Sequence, residues 1–248
     1  MAMLIPCIRR ITLIIAITMT SCLSSIGVYA AEHAVILMYH RFGESEYPST
    51  NIRLEQFDAH LELLASGDYN VMALADIINR LQSGQSLPDR TVAITIDDAY
   101  LSVYTEALPR LQSYGFTATV FVATQPVDRN HRGYMSWDQL REMQAGEFGI
   151  GSQTRTHPHM HMISPEKVEE ELQISNDRFI SELGIRPNLF AYPYGETNEL
   201  DVSNCSIIQS TISENNLNTK NMHLNLQPFG NNIGIRNKTP QVILDIND

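Results

Sequence analysis

The run Val92-Ala93-Ile94-Thr95-Ile96-Asp97-Asp98 constrains this chain more than any other segment. Its β-branched and apolar residues read as a buried strand, and the strand ends in two adjacent carboxylates. Like charges side by side at such an end are costly unless a cation sits there or one carboxyl keeps its proton. For an isolated Asp-Asp pair, a solvated turn with Asp as helix cap is the plain explanation. A metal with a general base also resolves the cost. One Asp then ligates the cation, and its neighbour takes a proton from an attacking water.

The surroundings of this strand follow a regular order. Residues 34–39 (Ala34 to Tyr39) read as a first buried strand, and Leu54, Phe57, Leu61 and Leu64 fall at helical spacing. A second amphipathic helix covers Met72 to Leu81, with Gly84 as its stop signal. After the paired Asp, a helix is expected from Ser102 to Ser113, with a kink at Pro109. Thr117 to Val122 reads as a strand. Ser136-Trp137-Asp138-Gln139 fits a capping box opening a helix through Gln144. Glu147 to Gly151 reads as a short strand. Ser164-Pro165-Glu166 then starts a helix that runs to Leu183 and stops at Gly184. Asn188 to Tyr192 is the last predicted strand. Strand then helix, repeated with short connections, argues for a parallel sheet or an α/β barrel. In such folds, active residues gather at the carboxyl ends of strands. His40, Asp97-Asp98, His157 and Tyr192-Pro193-Tyr194-Gly195 all fall there.

Composition excludes some partners. The formal net charge is −11. Residues 1–30 hold Arg9 and Arg10 and no acids, so the remainder carries 15 basic against 28 acidic side chains, or −13. Nucleic acid and anionic membrane surfaces are therefore poor partners, whereas a neutral or cationic glycan is not disfavoured. Residues 1–30 read as an export signal: Arg9-Arg10, an apolar stretch from Ile11 to Thr18, then Val28-Tyr29-Ala30 before a cleavage site. Extracytoplasmic location follows as an expectation. Met19-Thr20-Ser21-Cys22 loosely matches a lipidation site, so a lipid anchor at Cys22 is the alternative to soluble export. Only Cys205 remains beyond residue 30, which leaves no disulfide and no Cys-based zinc site there.

Three motifs stand together, in order, at predicted strand ends. They are Thr95-Ile96-Asp97-Asp98, Gly151-Ser152-Gln153-Thr154-Arg155-Thr156-His157-Pro158-His159, and Phe190-Ala191-Tyr192-Pro193-Tyr194-Gly195. Any one is weakly specific; the ordered set is strongly so. The set closely resembles the polysaccharide deacetylases, the NodB-homology domain of carbohydrate esterase family 4, over residues 34–198. Met38-Tyr39-His40 and the Ser136-Trp137 helix start are similar to extracytoplasmic members. The resemblance implies a distorted (β/α) barrel, a divalent metal that is usually zinc, and removal of acetyl groups from a polysaccharide, most often N-acetyl groups of an amino sugar. By the family pattern Asp97 is the catalytic base and Asp98 a metal ligand. His157 matches the second of two ligating imidazoles, and Tyr194 supplies a backbone N–H to the oxyanion.

The chain departs from the pattern at three points. The first ligating imidazole falls on Gln153, and a neutral amide oxygen is a poor zinc ligand. Three readings stay open: Gln153 ligates weakly or through water, His159 or His161 substitutes, or the metal site is lost and the domain is a catalytically inactive carbohydrate-binding relative. Ala191 stands where many members carry an Arg paired with the base, so Asp97 lacks a cation that would lower its pKa. The late general-acid His has no convincing match; His223 is a lone candidate, and His40 can approach the pocket instead, with a hydrogen-bonded structural role equally expected.

The expected organisation is therefore a signal at 1–30, a deacetylase domain at 34–200 and an atypical tail at 201–248. The tail contains no Ala, one aromatic (Phe229) and ten Asn, against seven Asn in residues 31–200. A disordered tail, a frame-shifted or truncated gene end that leaves the barrel incomplete, and a divergent subdomain all fit that composition.

Overall fold

The computed structural model describes residues 33–196. The export-signal residues, Cys22, His223 and the 201–248 tail lie outside the described residues. The elements are β1 (Val35–Tyr39), β2 (Arg41–Phe42), β3 (Asn51–Ile52), α1 (Leu54–Ser66), β4 (Asn70–Val71), α2 (Leu74–Gln82) and β5 (Thr91–Ile96). A π-helical turn (Val103–Ala107) leads into α3 (Leu108–Ser113), followed by β6 (Thr119–Val122), α4 (Thr124–Asp128), α5 (Trp137–Ala145), β7 (Gly149–Ser152) and α6 (Pro165–Leu183).

β1, β5, β6 and β7 form one parallel sheet in that order, and β4 pairs with the start of β5. β2 and β3 make a separate parallel pair. Every residue of β5 is buried. Val92, Ile94 and Ile96 enter the larger apolar cluster with α1, α3 and α5, while Ala93 faces a second cluster with Phe121, Leu74 and Ile77. A strand covered on both faces is what a parallel α/β sheet requires, and it explains the unbroken apolar run. The architecture is α/β of the distorted-barrel kind. Among the described residues the sheet is not closed into a ring, and no helix is long and apolar enough to cross a membrane.

Local signals account for the boundaries of α5 and α6. Ser136 and Gln139 form a reciprocal capping box at α5. Ser164 caps α6, Pro165 opens it, and Gly184 ends it in the left-handed region at φ 68°. The helix expected over Ser102–Ser113 is divided at Pro109. Proline has no N–H to donate, and the turn before it widens to the π form. The strand expected over Asn188–Tyr192 is a correction: only one parallel bridge forms, Ser152 with Phe190. The Ser152 N–H donates to Leu189 O at 2.9 Å, and the Ala191 N–H donates to Ser152 O at 3.0 Å. Pro187 and Pro193 bracket this segment and limit its ladder. Helix α4 escaped the periodicity reading because five residues are too few to show one.

β7 passes closely over the fully buried Phe121. A Cβ built on Gly151 would overlap the edge of that ring and come within 3.3 Å of Leu189 O. Gly151→Ala should therefore destabilise the fold by about 1–3 kcal/mol through overpacking. Urea unfolding checks this, with a lowered midpoint at unchanged slope as the expected outcome.

Candidate active site

The site begins where β5 ends. The Asp97 N–H donates to Tyr39 O at 2.8 Å, which carries the β1–β5 pairing one residue past the named strands. His40 thereby arrives beside Asp97, with Nε2 at 3.8 Å from Oδ2. Asp97 is only 6% exposed, and its Oδ1 is buried without a hydrogen-bond partner. Burial, and secondarily the charge of Asp98, push its carboxyl up to about 8. Ala191 is buried and offers no charge. His40 is held below the usual imidazole range, chiefly by burial, with Asp98 opposing.

Asp98 and Ala99 take left-handed backbone angles, φ 72° and 54°, which turn the chain sharply away from the sheet. The loop after β7 does the same at Thr154 (70°) and His157 (59°), and the third motif at Tyr194 (61°). Five of the nine non-glycine residues with positive φ among those described thus lie in three loops of one site. Such conformations are disfavoured for residues with a Cβ and persist where the surroundings over-determine them, which is common at functional sites.

These loops bring the predicted residues together. His157 Nε2 lies 3.3 Å from Asp98 Oδ1. The His157 N–H donates to Thr154 Oγ1 at 3.0 Å, which ties the turn to itself. Burial holds the His157 imidazole below its usual range, against the pull of Asp98. Gln153, 2% exposed, accepts the Asp98 N–H on Oε1 at 3.2 Å. Its carbonyl oxygen is therefore already half used. Tyr194 is 50% exposed; its ring meets the edge of His157 at 4.6 Å and stacks on His159 at 3.9 Å.

His159 and His161 do not join Asp98. Met160–Met162 is a 3-10 turn rather than an extended segment, so the alternation of His157, His159 and His161 does not put all three on one face. The Nδ1 atoms of His159 and His161 face Glu196 Oε2 instead, at 2.7 and 3.2 Å. One group that sequence reading overlooked is Glu171, buried on α6 behind the His157 loop. As an isolated acidic residue it looks solvated. The signal that could have found it is its place between Val168 and Ser175 on the buried stripe of the helix.

The donor chemistry fits a divalent cation. Two ligands about 2.1 Å from one tetrahedral ion stand roughly 3.4 Å apart, close to the observed Asp98–His157 separation. The orphaned Asp97 Oδ1 is a further acceptor with unmet demand. Asp98 and His157 would be the strong donors and Gln153 a weak third. No third His, Cys, Asp or Glu joins them among the described residues.

A parallel α/β sheet with a carboxylate pair at the tip of its central strand, faced by an imidazole from a neighbouring loop, defines the class of acid–base hydrolytic sites built at strand ends. Comparison with known proteins makes the class specific. Residues 84–204 match the sequence profile of the polysaccharide deacetylases. YxkH of Bacillus subtilis (strain 168), assigned to the polysaccharide deacetylases, is 27% identical over 164 residues, or 66% of this chain and 57% of that one. The poly-beta-1,6-N-acetyl-D-glucosamine N-deacetylase of Staphylococcus aureus (strain MRSA252) is 26% identical over 200 residues, covering 69% of this chain and 68% of that one. Among solved structures, IcaB from Ammonifex degensii superposes with a TM-score of 0.64 at 26% identity, covering 73% of this chain and 82% of that one. The Streptococcus pyogenes deacetylase PplD, in complex with acetate, gives 0.66 at 22% identity, with 72% and 81% covered, a likeness of fold.

The buried Asp97 makes a prediction about stability. Its folded pKa of about 8 lies above the 3.8 of the free side chain, so the folded state keeps a proton that the unfolded chain releases. That contribution is complete below pH 3.8 and is lost as pH rises through 8. Above about pH 7.5 the depressed histidines His40, His60 and His157 are neutral in both states and do not mask it. In chelator, the melting temperature of the parent protein should fall between about pH 7.5 and 8.5, whereas Asp97→Asn should stay nearly flat. Paired thermal melts check this; parallel curves would assign the slope to another group.

Proposed function

We propose that this protein is an exported, metal-dependent deacetylase that removes N-acetyl groups from a polymer of an amino sugar. The observation that carries the reading is the convergence of Asp97, Asp98, His157 and His40 at the buried end of β5. The poly-N-acetylglucosamine deacetylase relative supports the substrate class. The chain spans just over half the length of YxkH, so its activity is inferred from its own residues as well as from its kin.

In this reading Asp98 and His157 hold the cation, with Gln153 as a weak third donor. A bound divalent cation supplies Lewis acidity toward the acetyl carbonyl and, through its charge, favours the ionised form of Asp97. Asp97 accepts a proton from the water that attacks the acetamide carbon. The Tyr194 backbone N–H donates to the oxyanion that develops on the carbonyl oxygen. His40, within 3.8 Å of Asp97, relays the proton that Asp97 has taken from the water to the departing amine. Acetate and a free amine are the products, and one water is consumed. The exposed Tyr194 and His159 rings form an apolar rim beside which a sugar can rest.

A second reading has its own support: the Gln153 oxygen is already engaged by the Asp98 N–H. In that case the domain binds glycan without hydrolysing it. Acetate release from N-acetylglucosamine oligomers, with zinc and then with excess chelator, separates the two. Zinc-dependent release supports the enzyme. Glycan binding without release, in protein that retains no metal on dialysis, supports the second reading.

Two variants sharpen the first reading. Asp97→Asn should reduce acetate release by at least about 100-fold and leave zinc content nearly intact, since an amide cannot accept the proton. Asp98→Asn should lose zinc as well as activity. Gln153→His should tighten zinc binding by about tenfold or more, because imidazole replaces an amide donor. Competition against a chromophoric chelator measures both effects, and an unchanged affinity in Gln153→His would mean that another group completes the site.

A further inference from the structure

Helix α6 packs its apolar residues Val168, Leu172, Phe179 and Leu183 inward. Three polar side chains, Glu171, Ser175 and Asn176, share that buried face. A carboxylate only 2% exposed is costly unless its oxygens are fully used. They are. Oε2 accepts the Arg155 N–H at 3.1 Å and the Thr156 N–H at 2.7 Å, and Oε1 accepts the Thr156 hydroxyl at 2.8 Å. One turn along, the Ser175 hydroxyl donates to Thr154 O at 3.1 Å and sits 3.2 Å from the Ser152 hydroxyl. Beyond Ser152, where β7 ends, helix side chains supply hydrogen bonds that a neighbouring strand would otherwise provide.

The residues so clamped include or adjoin strained positions. Thr154 and His157 are both left-handed, at φ 70° and 59°, and Thr156 immediately precedes His157. A loop of non-glycine residues left to itself would relax from that shape. We propose that Glu171 is a positioning residue for the metal site. By holding residues 155 and 156 it keeps the turn that aims His157 Nε2 at Asp98. The inference rests on the reading of His157 as a ligand. Glu171 touches neither Asp97 nor Asp98 in any contact seen here, so its effect passes through the loop. Three donors need two acceptor oxygens. Gln offers one, and turns an NH2 group toward donors; Asp is a methylene shorter.

The test compares Glu171→Ala and Glu171→Gln with Leu61→Ala, a core truncation on α1 that destabilises without touching the loop. Two readouts are taken: zinc affinity by chelator competition, and the ring resonances of His157 in chelated, 15N-histidine-labelled protein, assigned with His157→Asn. Zinc affinity should weaken by about 10–100-fold in Glu171→Ala and by less in Glu171→Gln. The His157 ring signals should shift in both, while Leu61→Ala keeps parent values for affinity and signals despite a lower melting temperature. A folded Glu171→Ala with zinc affinity within about twofold of the parent and unmoved His157 signals would overturn the proposal. If Glu171→Ala fails to fold, the same criteria applied to Glu171→Gln decide. A parent protein that binds no zinc defeats the metal reading alone, and the His157 signals in chelated protein still decide whether Glu171 positions the ring.

Discussion

Two carboxylates held at the buried end of β5 are the constraint around which the described structure is arranged. β5 is covered on both faces, so Asp97 emerges into an interior and not into water. Desolvation disfavours its charge, and the neighbouring Asp98 adds to the cost. The surrounding elements respond in ways that can be traced. β1 extends its pairing far enough to bring His40 alongside, and the loop after β7 returns His157 to face Asp98. One oxygen of Asp97 is left without a hydrogen-bond partner among the described residues.

The loops that bear these residues are shaped against their intrinsic preferences. Left-handed turns at Asp98, Ala99, Thr154, His157 and Tyr194 cost conformational energy, and polar side chains hold those at Asp98, Thr154 and His157. Thr154 closes the His157 turn from within, and Gln153 ties that loop to the Asp98 backbone. Glu171 and Ser175 hold the loop from the α6 side. Gln153 is thus both a candidate ligand and a strut between two motifs. That dual use gives a glutamine a reason to be there, which its donor strength alone does not.

The likeness to the polysaccharide deacetylases and the electrostatics of this site bear on one another. With Ala191 in the third motif, no guanidinium from that position reaches Asp97, and the aspartate is left to burial and to Asp98. A base in such surroundings depends on a nearby positive charge for its ionised form. The proposed cation is the group able to supply it. Base strength and metal occupancy are then coupled more tightly than they would be with an Arg partner in place.

Much of this was legible in the linear chain. The apolar run before Asp97, the capping box at Ser136 and the Ser164-Pro165 start with its Gly184 stop are local signals. They act through backbone geometry and hydrogen bonds a few residues apart, so the sequence determines them by itself. The three motifs likewise announced Asp97, Asp98, His157 and Tyr194 as one site. Other features were decided only in the tertiary structure. Asn188–Tyr192 has strand-like residues, yet it forms a single bridge because its pairing depends on a neighbour and on two flanking prolines. His159 and His161 look like His157 in sequence, but a 3-10 turn directs them to Glu196. Glu171 has the composition of a surface residue and becomes buried because α6 turns that stripe toward a loop whose donors need an acceptor. The common reason is distance along the chain: each outcome depends on a partner at least a dozen residues away, or on the path of the backbone between, and neither is written in the residue itself.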